Sequence, residues 1–238
     1  MRIDDEPYRH VCIASSYHPA RSTEPAKTNL LRHMRQHEQR ACQVIPAFNH
    51  SHVLPPYIGD SPIHVAQGSP YETTPLELVQ RLGHTPARRR LLEGLFRYRG
   101  DLRSLGFSEG FQWLDGSFVE DVERSQARSP GDIDVVTFAM TPQGMSPAQV
   151  EALPQMHPDL FDLDRARTRY GCDAYLMRLD GSPGRLVRRA AYYFGLFSHR
   201  RSDNVWKGLL TMPLQSDDDA ALSYLTDLAG GDAHAAAT

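Results

Sequence analysis

The chain has 238 residues, 40% of them hydrophobic and 23% charged, with a formal net charge of −3. That size allows one substantial core with extensions, and no apolar run reaches the ~20 residues a membrane helix needs. The mild acidity gives no broad footprint for duplex nucleic acid. MRIDDEPYRH at the start lacks the layout of a secretory signal. Cys12, Cys42 and Cys172 are widely spaced and odd in number, which argues for reduced thiols and a cytoplasmic protein.

Residues 1–44 are polar and rich in His and Arg, and read as a poorly ordered extension with at most one short helix, in TNLLRHMRQHEQRA. The stretch 44–62 carries four prolines, which exclude a helix interior and predict an extended, turn-rich path. Thr74-Pro75 and Thr85-Pro86 each place a capping residue before a proline, so each predicts a helix start. After the second, Leu91, Leu92, Leu95, Phe96, Tyr98, Leu102 and Leu105 recur at three-to-four spacing, marking an amphipathic helix. Its other face carries Arg88, Arg89, Arg90, Arg97 and Arg99, expected to be solvated.

From residue 111 short strands alternate with helices. FQWLD, DIDVVTFAM and CDAYLMRL read as strands, and VWKGLLTMPL at 205–214 as another. SPAQVEAL, PDLFDLDRARTRY and GRLVRRAAYYFGLF read as helices, the last with an aromatic face. A final helix opens near Ser216, where Asp217, Asp218 and Asp219 suit the positive end of its dipole. This predicts an α/β (α+β) architecture: a mixed sheet flanked by helices, as one domain over 45–228 followed by a flexible tail, 229–238.

Two motifs carry chemistry. Asp132 and Asp134 open a strand whose alternation puts both on one face, roughly 6.6 Å apart at Cα. Two such carboxylates repel each other unless a cation sits between them. A pair of Mg²⁺ or Mn²⁺ ions, ~3.5–4 Å apart in two-metal sites, resolves this through hard oxygen ligands. Asp173, at the start of CDAYLMRL, joins them if the two strands are neighbours, as metal ligand or base. Earlier, WLDGSF supplies Gly116, which lets backbone approach a phosphate, and Ser117, which offers an N–H and a hydroxyl. A helix beginning at SFVEDVE would aim its N–H groups at the anion. The histidines of HMRQH (His33, His37) and HSH (His50, His52) form a weaker metal candidate, since no cysteine or carboxylate partner stands at helpful spacing.

At Gly116, Ser117, Asp132, Asp134 and Asp173 the chain resembles the nucleotidyltransferase superfamily with the DNA polymerase beta-like fold. It is similar also to an uncharacterised bacterial family of small nucleotidyltransferase-like proteins, at IPAFN, VLPP, WLDGSFVED, GDIDVVTF, YGCDAYL and WKGLL. This likeness spans roughly residues 45–214. The resemblance implies a nucleotide-binding, metal-dependent transferase that moves NMP from ATP or another NTP to a protein, RNA or small-molecule acceptor. It implies Asp132, Asp134 and Asp173 as catalytic metal ligands and Gly116, Ser117 and Lys207 as nucleotide-binding residues. Many small proteins of this kind act beside a toxin or in phage-defence loci, so a toxin-antitoxin partner held by sequestration is the alternative. Two features depart from the superfamily pattern: Asp115 stands where an apolar residue is usual, and the loop to Asp132 is long and contains Arg124 and Arg128.

Overall fold

Threonine side chains open the first two helices. The computed structural model describes residues 45–63 and 67–235, all within one compact unit, Cys42–Thr238. After β1 (Tyr71–Glu72), Thr74 accepts from the Glu77 N–H to cap α1 (Pro75–Leu82), and Gly83 closes it. Thr85 accepts from the Arg88 N–H to cap α2 (Pro86–Ser104). The expectations for residues 1–44, including His33, His37, Cys12 and Cys42, fall outside the described residues.

The sheet follows. It comprises β1, β2 (Gly110–Asp115), β3 (Ile133–Ala139), β4 (Cys172–Arg178) and β5 (Leu210–Pro213), in the order β1-β5-β2-β3-β4. β2 runs antiparallel to both β3 and β5, while β3 and β4 run parallel, as do β1 and β5. The expected mixed sheet flanked by helices is the fold observed. Between β2 and β3 lies α3 (Val122–Gln126), and between β3 and β4 lie α4 (Pro147–Met156), α5 (Pro158–Phe161) and α6 (Leu163–Tyr170). α7 (Pro183–Phe197) follows β4, and α8 (Asp218–Ala235) follows β5. Among the described residues, no helix is long and apolar enough to cross a membrane.

Strand alternation divides the core in two. Ile133, Val135, Leu114, Cys172, Ala174, Leu210 and Met212 face a large cluster that α1, α2 and α8 complete. Val136, Phe138 and Met177 face the opposite way and meet Phe197 of α7, with Phe111, Trp113 and Tyr175 packed alongside. Cys172 is fully buried in the larger cluster, a core residue and no exposed nucleophile.

The arginines of α2 depart from expectation. Arg90 and Arg97 are exposed, but Arg88, Arg89 and Arg99 are buried. Arg99 donates to Gln112 Oε1 at 2.6 Å, to both Asp218 oxygens at 2.9 and 3.0 Å, and to the Pro213 carbonyl at 2.9 Å. Arg88 donates to Glu123, to the Phe118 carbonyl at 2.7 Å and to the Glu120 carbonyl. A guanidinium tolerates burial when its donors find such partners. Asp218 therefore serves as the counter-charge of Arg99 and Arg103, while Asp217 caps α8 by accepting from Ala220.

Two local readings are also corrected. Of the strand expected over 205–214, only Leu210–Pro213 joins the sheet; Trp206 makes an isolated bridge to His199, and residues 207 and 208 give their N–H groups to the Ser198 and Leu54 carbonyls. The Gly-Ser pair opens a 3-10 turn, Gly116–Val119, which is followed by the five-residue α3, not one helix starting at Ser117.

Candidate functional site

Antiparallel pairing puts the last residue of β2 at the edge where β3 and β4 begin. Asp115 stands opposite Asp134, and Asp134 stands opposite Asp173, so three carboxylates form a row across three strands. Residues opposite one another in a sheet share a face. Asp132, just before β3, lies two residues from Asp134 and so on the same side. The next rows on that face are apolar: Trp113, Val136 and Tyr175, then Phe111, Phe138 and Met177.

A single guanidinium joins two of the acids. Arg167, on α6, lies 3.2 Å from Asp132 Oδ2 and makes a short hydrogen bond to Asp173 Oδ2. Asp173 Oδ1 is buried without a hydrogen-bond partner, and so is Asp115 Oδ1. Burial, followed by the charges of Asp132 and Asp173, pushes the Asp134 carboxyl up to about 6.

Gly116 adjoins this row. Its φ of +80° is one that glycine adopts without strain, and an added Cβ would lie 2.0 Å from Asp134 Oδ2. The space beside its Cα is thus taken by a carboxylate of the site itself. Ser117 follows, half-buried, in the wall of a cleft of about 270 Å³. Asp132 and Asp134 line the same cleft, as do Arg128 and Arg201; Asp173 stands beside it on the neighbouring strand and is not part of the wall.

Lys207 lies at the back. It is buried and belongs to no strand, in contrast to a surface lysine on an edge. Its ammonium sits 2.8 Å from Glu120 Oε1 and 3.2 Å from Asp115 Oδ2, and donates to the Gly116 carbonyl at 3.1 Å. Burial disfavours its charge, but Asp115 and Glu120 outweigh that and hold its pKa above the usual lysine value. Burial pushes Asp115 up to about 7, against the pull of Lys207. Lys207 thus anchors the turn that carries Gly116 and Ser117.

A family model matches residues 46–213. The chain belongs to DUF6932, a family of unknown function. Comparison with curated proteins and with solved structures finds no match. The DUF6932 stretch contains all five strands, every carboxylate of the row, the Gly116–Ser117 turn and Lys207, while α8 lies beyond it.

In this DUF6932 chain the six residues singled out from sequence gather at one end of the sheet. Among the described residues, no three His, Cys, Asp or Glu side chains stand ready to hold a metal ion. The donors nonetheless suit a hard divalent cation in kind: they are carboxylate oxygens, and one of them, Asp173 Oδ1, lacks any partner. Arg167 bridges Asp132 and Asp173 and supplies positive charge where three acids converge. Asp115, Glu120, Arg167, Arg128 and Arg201 were not singled out from sequence as parts of the site. Asp115 carried a usable signal, as the residue before the glycine on a strand antiparallel to the D-x-D strand.

Proposed function

We propose that the chain transfers a nucleoside monophosphate from a nucleoside triphosphate to an acceptor hydroxyl, using Mg²⁺ or Mn²⁺. The observation that supports this best is the meeting of Asp132, Asp134 and Asp173 beside the Gly116–Ser117 turn. Those three carboxylates would hold the metal. When bound, it neutralises charge on the phosphates and on the departing pyrophosphate.

The chain's own groups do the rest. Ser117 offers its N–H and hydroxyl to a phosphate oxygen at the cleft wall, and Arg128 and Arg201 flank the same cleft. A bond forms between the acceptor oxygen and the α-phosphorus as the α–β phosphoanhydride bond breaks, and pyrophosphate leaves. The Asp173 carboxylate takes the acceptor's proton. Lys207 acts through the turn: its bond to the Gly116 carbonyl fixes where Ser117 stands, and it is a positioning residue.

The test is incubation with each α-labelled NTP, Mg²⁺ or Mn²⁺ and cell extract, followed by a search for labelled product. Labelling by wild type and its loss in Asp134→Asn are expected. Equal labelling by the variant overturns the reading. A cellular phenotype untouched by Asp134→Asn would point instead to sequestration of a protein partner.

A further inference from the structure

The segment from Pro183 to Lys207 is strongly basic. It holds six basic residues, Arg185, Arg188, Arg189, Arg200, Arg201 and Lys207, against one aspartate, Asp203, in a protein of net charge −3. Of these, Arg185, Arg188 and Arg189 lie on α7 with exposed side chains, and none forms an ion pair with a described residue. Arg200, by contrast, pairs with Asp203, and Lys207 with Asp115 and Glu120.

Helix geometry gathers the three. Positions 185, 188, 189 and 192 recur at i, i+3, i+4 and i+7, so the arginines and Tyr192 share one stripe. The buried stripe of α7, Leu186, Ala190, Tyr193 and Phe197, packs on the sheet and leaves this one outside. Tyr192 is 63% exposed.

A line of aromatic rings then leads inward. Tyr192 meets Tyr193 with centroids 5.2 Å apart, and Tyr193 meets Tyr175 at 5.1 Å. Tyr175 is two residues beyond Asp173 on β4, on the same face, in the row next to the acids. Past the end of α7, His199 and Arg201 stand in the wall of the cleft that holds Asp132 and Asp134. Unpaired arginines, three touching tyrosine rings and a carboxylate row therefore follow one another across a single surface.

We infer that this surface binds the end of a single-stranded nucleic acid and that such an end is the acceptor. The identity of the acceptor rests on the transferase reading; the binding does not. Arginines without acidic partners among the described residues match a polyphosphate backbone, and exposed rings match unstacked bases, the combination by which single strands are held without sequence preference. An acidic peptide would match the arginines alone and leave the rings unused.

The experiment measures binding of a fluorescent single-stranded RNA of about ten nucleotides, by anisotropy, without nucleotide or divalent metal. Binding that weakens with salt is expected, together with a loss of at least about tenfold in Arg185→Glu/Arg188→Glu/Arg189→Glu. Each phosphate contact contributes about 0.7 to the log–log salt slope of a single strand, so the triple variant should lower that slope by about 2. Tyr192→Ala should weaken binding by about fivefold or more with the slope unchanged. All four side chains are exposed, so the variants keep the fold. No binding by wild type, unchanged binding by the triple variant, or equal affinity for an oligoglutamate of the same charge overturns the inference. RNA binding without any NMP transfer would remove the enzyme reading and leave the surface. Transfer to some other acceptor without RNA binding would do the reverse.

Discussion

The carboxylate of Asp134 fills the space in which a side chain on Gly116 would begin: the Cβ position lies 2.0 Å from its Oδ2. A glycine that reads as a phosphate cradle is thus first a requirement of the neighbouring acid. Gly116→Ala should cost about 1–2 kcal/mol for the left-handed backbone alone, and more for displacing Asp134. In an Asp134→Ala background the same substitution should cost only the backbone part. Chemical denaturation of the four proteins checks this; equal costs in both backgrounds would show that the contact does not matter.

Lys207 is the only lysine among the buried residues described, and two acids depend on it. Removing one partner of a buried ion pair typically costs about 3–5 kcal/mol, because a charge is left without compensation. Lys207→Met should destabilise on that scale, and adding Asp115→Asn with Glu120→Gln should recover much of it. A triple variant no more stable than Lys207→Met would indicate that packing, not charge, is what the lysine supplies.

Arg167 is half-exposed, so its ion pairs contribute little stability in water. Arg167→Gln should change the unfolding free energy by no more than about 1 kcal/mol in metal-free buffer. It should also lower the Mg²⁺ concentration needed for thermal stabilisation, since a competing cation has gone from Asp132 and Asp173. Asp132→Asn with Asp134→Asn should abolish that Mg²⁺ response. A Mg²⁺ midpoint unchanged by Arg167→Gln counts against the clasp.

Stability should also depend on pH through Asp115 and Asp134. Burial raises both above the ordinary carboxylate value of 3.8, to about 7 and about 6. Through these two groups the folded chain binds more protons than the unfolded chain, and their contribution to folding stability declines as pH rises from about 4 through 7, outweighing the opposite shifts of His84 and Glu123. Melting in EDTA across that window should display the decline, and Asp115→Asn should flatten its upper half. A wild-type melting temperature that rises over the same range would contradict both shifts.

Much of this was legible in the sequence. Thr-Pro caps, apolar spacing and the D-x-D strand are local signals, and the helices and three strands follow them closely. The pairing of Asp134 with Asp173 followed only if β3 and β4 were neighbours, and they are. What escaped were long-range charge pairings. Arg99 is buried because Asp218, 119 residues later, meets it, and Lys207 because Asp115 and Glu120 do. Periodicity registers such residues only as polar and so assigns them to the surface. Ser117 lies in a tight turn, not a long helix, where Phe118 and Glu120 give their carbonyls to the Arg88 guanidinium and Glu120 bridges to Val53.

The crossover from β3 to β4 leaves the sheet at Ala139, the end remote from the carboxylates, and comes back along α6 to Gly171. Its excursion through α4 and α5 seats Leu153 and Leu160 in the larger core cluster, after an exposed loop at the far margin. Relatives could lengthen or shorten the loop 140–144 and still deliver Asp173 opposite Asp134, because hydrogen-bond register, not loop length, fixes their alignment. Diversification there would leave the carboxylate edge untouched.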